Sequence, residues 1–113
     1  MVMDVWATWC RPCLEALPHF AKLAKQYQND SRIQFVSISV DEDKSKWLAK
    51  LQEEKPTWQQ VWLDEKANPQ FSMSYQVSSI PRFIIIDAEG KIANPEARTP
   101  QEGLDADIKA VLK

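Results

Sequence analysis

The chain is short of several things. Glycine and cysteine each occur twice in 113 residues, and histidine once, at His19. Two glycines and seven prolines fit neither a flexible linker nor a low-complexity tract. No apolar run approaches the roughly 18 residues a membrane-crossing helix needs, so no membrane insertion is expected of this segment. Neither charge dominates: 14 Lys and Arg face 16 Asp and Glu, a formal charge of -2. That balance argues against nucleic acid as a partner. Internal repeats are absent. What remains is an ordinary globular composition, 44% hydrophobic and 27% charged. The length suits one domain whose single core buries roughly two-thirds of the unfolded surface.

The two cysteines, Cys10 and Cys13, are separated only by Arg11-Pro12. A structural disulfide scaffold needs more cysteines, spread to close long loops, and a bridge over two residues closes almost none. A zinc site takes about four ligands, and His19 is the one other soft candidate. The pair is therefore a redox-active dithiol, two unrelated buried thiols, or half of a metal site completed elsewhere.

Periodicity orders the rest. Residues 1–7 read as a strand, followed by a turn at Thr8-Trp9-Cys10. A helix starts near Cys10, with Pro12 tolerated in its first turn. Leu14, Leu17, Ala21 and Ala24 recur at helical spacing, and Phe20, Leu23 and Tyr27 widen that face. Pro18 falls inside this helix and is expected to kink it. Gln28 to Ser31 end it, and Ile33 to Val40 alternate as a β-branched strand. Asp41 to Ser45 can cap a second helix bearing Trp47, Leu48 and Leu51, with the charges from Asp41 to Lys46 forming its solvated start. Thr57 to Leu63 is a weaker strand, and Asn68 to Tyr75 a short helix behind Pro69. Arg82 to Asp87 is a buried strand by its continuous apolar run. Ala88 to Lys91 turn the chain into Ile92-Ala93. Thr99-Pro100-Gln101-Glu102 reads as a capping box with Pro at the first helical position, opening a helix that buries Leu104, Ile108, Val111 and Leu112. The order is βαβα(β)αββα, an α/β three-layer sandwich with a mixed central sheet and helices on both faces. A domain seldom opens directly on a core strand, so a fragment of a longer protein is expected, with any export signal upstream.

Strand, then Ala7-Thr8-Trp9-Cys10-Arg11-Pro12-Cys13, then helix, resembles the active site of the thioredoxin fold. Ile80-Pro81, just before the RFIIID strand, sits where that fold places its cis-proline. Together with SISVDED, PRFIIIDAEGKI and the late helix, these motifs resemble the TlpA/ResA-like thiol–disulfide oxidoreductases over essentially all of residues 1–113, one domain. That family carries roughly 25–30 further residues upstream of this point.

The resemblance implies a division of labour. Cys10, at a helix N-terminus with Arg11 adjacent, is the attacking nucleophile, because the macrodipole favours a thiolate there. Cys13, one turn in and less exposed, attacks Cys10 and releases the reduced substrate. Asp4, six residues before Cys10 in an apolar strand, is expected to lie buried behind Cys13, with a raised pKa, as a base for its proton. A cis bond at Pro81 turns the Ile80 backbone toward an extended substrate, in the manner of strand addition. Trp9 offers a flat apolar surface beside the site, and Arg82 a basic one. Trp6, Trp47, Trp58 and Trp62 read as packing. Two departures stand out. ResA-type members carry Glu three residues after the second cysteine, where this chain has Ala16, and thioredoxins tend to set Lys opposite the buried Asp, where this chain has Ser37.

The implied activity is reduction of protein disulfides, with no bound cofactor and no metal. Its partners are a protein disulfide substrate and an upstream thiol donor, and the chain is expected to be monomeric. The competing functions are a redox-sensing module and a metal-delivery protein using the same cysteines. Resemblance alone points to the bacterial periplasm or cell envelope, with the cytoplasm as the alternative.

Overall fold

A computed structural model describes residues 1–75 and 77–112. Five strands and four helices alternate: β1 (Val2–Trp6), α1 (Arg11–Gln26), β2 (Phe35–Ser39), α2 (Lys44–Glu54), β3 (Gln59–Trp62), α3 (Gln70–Ser74), β4 (Arg82–Ile86), β5 (Ile92–Ala97) and α4 (Leu104–Val111). The strands form one mixed sheet in the order β3-β2-β1-β4-β5. β1 runs parallel to β2 and antiparallel to β4, so it is central and every residue of it is buried. The mixed sandwich read from the sequence is the one observed.

Alternation along β1 divides its residues between the two faces. Val2 joins Phe20, Leu23 and Ala24 of α1, Phe35, Phe83, Ile85, and Leu104 and Ile108 of α4 in one core. Met3 and Val5 join Val36, Ile38 and Ile84 on the opposite face, where Phe71 and Tyr75 from α3 and its C-terminal boundary pack. A third cluster at the top of the sheet gathers Trp6, Ala7, both cysteines and Trp47 of α2. Phe20 ties the first core together, with ring centroids 5.3 Å from Phe35 and 5.8 Å from both Trp58 and Phe83. The edge-on pairs with Phe35 and Trp58 each add about 1 kcal/mol beyond area burial.

Four local expectations need correction. The buried stripe of α1 is Cys13, Ala16, Phe20, Leu23 and Ala24, not the stripe through Leu14, Leu17 and Ala21. Both stripes have helical spacing, and the second faces a groove of about 490 Å³ between α1, α2 and β3. Leu48 is exposed, and Trp47 alone is the fully buried anchor of α2. The box Thr99–Glu102 does not open α4. Thr99 Oγ1 meets Glu102 Oε1 at 3.0 Å, but the carbonyl of Thr99 takes the N–H groups of Glu102, Gly103 and Leu104, closing a separate turn. Gly103, at φ 154°, is the N-cap of α4 and stops that turn from continuing into the helix. Finally, β5 is longer than Ile92-Ala93, running through Pro95 to Ala97. It is an edge strand, so the missing N–H of Pro95 costs no ladder bond on its outer side.

Candidate functional site

The site sits where β1 ends and α1 begins. Cys10 is extended (φ -92°, ψ 103°) and is the N-cap of α1, and its side chain accepts the backbone N–H of Cys13 at 3.3 Å. Pro12 in the first turn has no N–H to leave unsatisfied. Cys10 and Cys13 form a disulfide, with Cα atoms 5.2 Å apart. Cys10 is 5% exposed and Cys13 3%, so burial barely separates them. What separates them is direction. The backbone N–H of Cys13, at the positive end of the helix dipole, points at the sulfur of Cys10.

Opposite the disulfide, the Ile80–Pro81 bond is cis. The carbonyl oxygen of Ile80 lies 3.9 Å from Cys10 Sγ. Trp9, in the turn before Cys10, is 70% exposed beside this cleft. Arg11 also faces solvent and pairs with Glu15 one turn along at 3.4 Å. Ala16 is buried in the core, so no carboxylate stands on α1 at that position. Arg82 follows Pro81 directly. As the first residue of β4 it is buried, its guanidinium 3.5 Å from Glu96 and 3.5 Å from the carbonyl of Pro95 on β5.

Asp4 lies at the middle of β1, 4% exposed. Its neighbours in register are Ser37 on β2 and Phe83 on β4, on the face covered by α1. The hydroxyl of Ser37 donates to Asp4 Oδ2 at 3.1 Å. Ser37 in turn accepts the indole N–H of Trp58 at 2.8 Å. Burial disfavours the carboxylate and pushes the pKa of Asp4 up to about 7, while the Ser37 bond works in the other direction. Trp58 thus does more than pack.

The reading of Asp41 as part of a solvated helix start is overturned. Asp41 is 2% exposed, and its carboxylate accepts the N–H of Thr8 at 3.0 and 3.1 Å, the hydroxyl of Thr8 at 2.7 Å and that of Ser39 at 2.5 Å. Its carbonyl takes the indole N–H of Trp62 at 2.8 Å. Asp41 therefore clamps the turn that presents Trp9 and Cys10. The cap of α2 is Asp43. Serines at 37 and 39, in a strand otherwise apolar, were the signal that polar partners lie buried there. Among the described residues no group of three His, Cys, Asp or Glu side chains could hold a metal ion, and His19 is exposed on α1.

A family model described as thioredoxin-like matches residues 1–92. The chain belongs to the thioredoxin-like family. A solved Bacteroides vulgatus structure, described as a thiol-disulfide oxidoreductase, superposes with TM-score 0.86 at 33% identity, covering 97% of this chain and 76% of that one. The thioredoxin-like protein YneN of Bacillus subtilis is 27% identical over 81% of this chain and 52% of its own length. The thiol-disulfide oxidoreductase ResA of the same organism is 26% identical over 98% of this chain and 60% of its own. This thioredoxin-like chain spans about half the length of the curated relatives it matches. No described helix is long and apolar enough to cross a membrane.

Proposed function

We propose that this thioredoxin-like chain is the reacting domain of a thiol–disulfide oxidoreductase that reduces protein disulfides through Cys10 and Cys13. The observation that carries the reading is the disulfide at the start of α1, with the Cys13 N–H aimed at Cys10 Sγ. In the reduced chain that N–H and the helix dipole favour a thiolate at Cys10. The thiolate attacks one sulfur of a substrate disulfide, forming a mixed disulfide and releasing the other sulfur as a thiolate, which takes a proton from solvent. Cys13 then gives its proton to Asp4 and attacks Cys10 Sγ, breaking the mixed disulfide and expelling the second substrate sulfur as a thiolate, which takes up a proton in turn. Two electrons have moved: the chain is left oxidised and the substrate carries two thiols. An upstream dithiol donor returns the pair to its reduced state, with no bound cofactor. The carbonyl of Ile80, beside Cys10 Sγ, is placed to pair with an extended substrate backbone, with Trp9 and Pro81 as its apolar walls.

The likeness to ResA and to the thiol:disulfide interchange protein DsbE of Haemophilus influenzae supports a place in the bacterial periplasm or cell envelope, within a longer protein. The reduced chain should turn over a model protein disulfide such as insulin in the presence of a small dithiol. A Cys10→Ser variant should be inert. Stoichiometric metal uptake with no reductase activity would replace this reading by metal delivery. Partner binding that changes with redox state, again without turnover, would replace it by redox sensing.

A further inference from the structure

We propose that Ser37 and Trp58 form a one-way hydrogen-bond relay that sets the pH at which Asp4 accepts a proton, making both of them positioning residues for the dithiol. The proposal rests on the reading of Asp4 as proton acceptor and adds the device that tunes it.

Three distances and one piece of chemistry carry it. Trp58 Nε1 donates to Ser37 Oγ at 2.8 Å, and Ser37 Oγ donates to Asp4 Oδ2 at 3.1 Å. The Trp58 ring is held in place by Phe20, 5.8 Å away edge-on. An indole nitrogen can only donate. With the indole N–H directed at its oxygen, the Ser37 hydroxyl proton is turned toward Asp4. The relay therefore presents a donor to Asp4, and a donor favours the carboxylate over the acid. Ser37 is fully buried and Asp4 almost so, so little water competes for these bonds.

Charged groups do not take over this role. Two influences act on Asp4, its burial, which raises the pKa, and the Ser37 hydrogen bond, which lowers it. From α1 the buried titratable group on that side of the sheet is Cys13, Tyr27 lies in the same core, Phe83 faces Asp4 from β4, and Gln60 of β3 stands in register with Ser37. Lys25 of α1, Lys50 and Glu54 of α2, and Lys55 line the groove that Trp58 and Gln60 also line, and none of them is hydrogen-bonded to Asp4 among the described contacts. Arg82 pairs in register with Val5 and so belongs to the other face. A neutral relay thus does what a neighbouring cation would do, and does so without salt dependence.

The test reads the Asp4 carboxyl directly, by carbon-13 NMR titration of the reduced chain, alongside the pH profile of insulin reduction. Ser37→Ala should raise the Asp4 midpoint by about one pH unit, the effect of losing a hydrogen bond to a charged acceptor. Trp58→Phe, which keeps the ring against Phe20, should raise it in the same direction by less. Ser37→Thr should restore the parent value. The activity profile should move with the carboxyl midpoint, and the shift should disappear in an Asp4→Asn background. A purely structural role for these residues would lower stability and leave the midpoint where it was, and that result overturns the proposal. Where Ser37→Ala fails to fold, Trp58→Phe decides by the same readout. The titration needs no substrate, so a chain without reductase activity but with the midpoint shift keeps the relay and loses only the proposed function.

Discussion

The carboxylate of Asp41 holds both the backbone N–H and the hydroxyl of Thr8, across 33 residues of sequence. This one side chain joins the end of β2 to the turn that delivers Cys10. Replacing it with alanine leaves the Thr8 N–H and two hydroxyls without their charged acceptor. The expected loss is about 3 kcal/mol, since buried donors stripped of a charged partner each cost on this scale. Glu42→Ala, one residue along and exposed, should stay within about 0.5 kcal/mol. Denaturant melts of the two variants check the contrast.

Asp4 should make stability and activity move apart. Its folded pKa of about 7 lies above the ordinary value of 3.8, so the native chain holds this proton more tightly than the unfolded one. The stabilisation it gives is complete below pH 3.8 and is lost as pH climbs through 7, after which the deficit is constant. Asp4→Asn should thus be more stable than the parent at pH 8 by about 2–4 kcal/mol, with the gap closing toward pH 4. Disulfide reduction near neutral pH should fall roughly 10²-fold, the usual worth of a positioned base. Melts at the two pH values and rates on the same protein check both halves.

Cys10 should be the reactive thiol even though the two cysteines are almost equally buried. The Cys13 N–H points at Cys10 Sγ, which favours negative charge there. Limiting iodoacetamide on the reduced chain should label Cys10 before Cys13, as read by peptide mapping. A Cys13→Ser variant should trap mixed disulfides, because the resolving sulfur is gone.

At the C-terminal end, Leu104→Ala should cost about 3 kcal/mol, because a fully buried side chain leaves a cavity against Val2, Phe83 and Ile85. Glu102→Ala should cost less than about 1 kcal/mol, since Glu102 closes an exposed turn ahead of α4 and does not cap the helix. Parallel thermal melts separate the two. Equal losses would restore the Thr99–Glu102 box as the cap of α4.

The sheet was legible because its strands carry their own pattern: an apolar opening run, an alternating IQFVSISV and a continuous RFIII. Cys10 and Cys13 were legible from their spacing. Asp4 stood out because an apolar strand has no ordinary place for a carboxylate. Asp41 was misread for a physical reason. It lies two residues past the end of β2 beside charged sequence, where spacing does not say which way a side chain turns, and its carboxylate is taken by Thr8, 33 residues away. The choice between two equally periodic stripes on α1 was likewise settled by which one met Phe35 and Phe83. The capping box had the right letters, but the carbonyl of Thr99 was spent on three successive N–H groups before the helix could start.

The sheet has two unlike borders, and they differ in how they meet another molecule's backbone. β5 carries Pro95 at its middle and register shifts against β4, so a foreign strand finds a broken row of donors there. β3 has neither proline nor bulge, and it leaves Gln59 and Val61 exposed. Its guard is brevity, four residues with Lys55-Pro56 before and Asp64-Glu65-Lys66 after. β3 is therefore the border where another backbone meets an unbroken row of donors and acceptors. A lysine at position 61 would close that border while leaving the dithiol, more than a strand away, untouched.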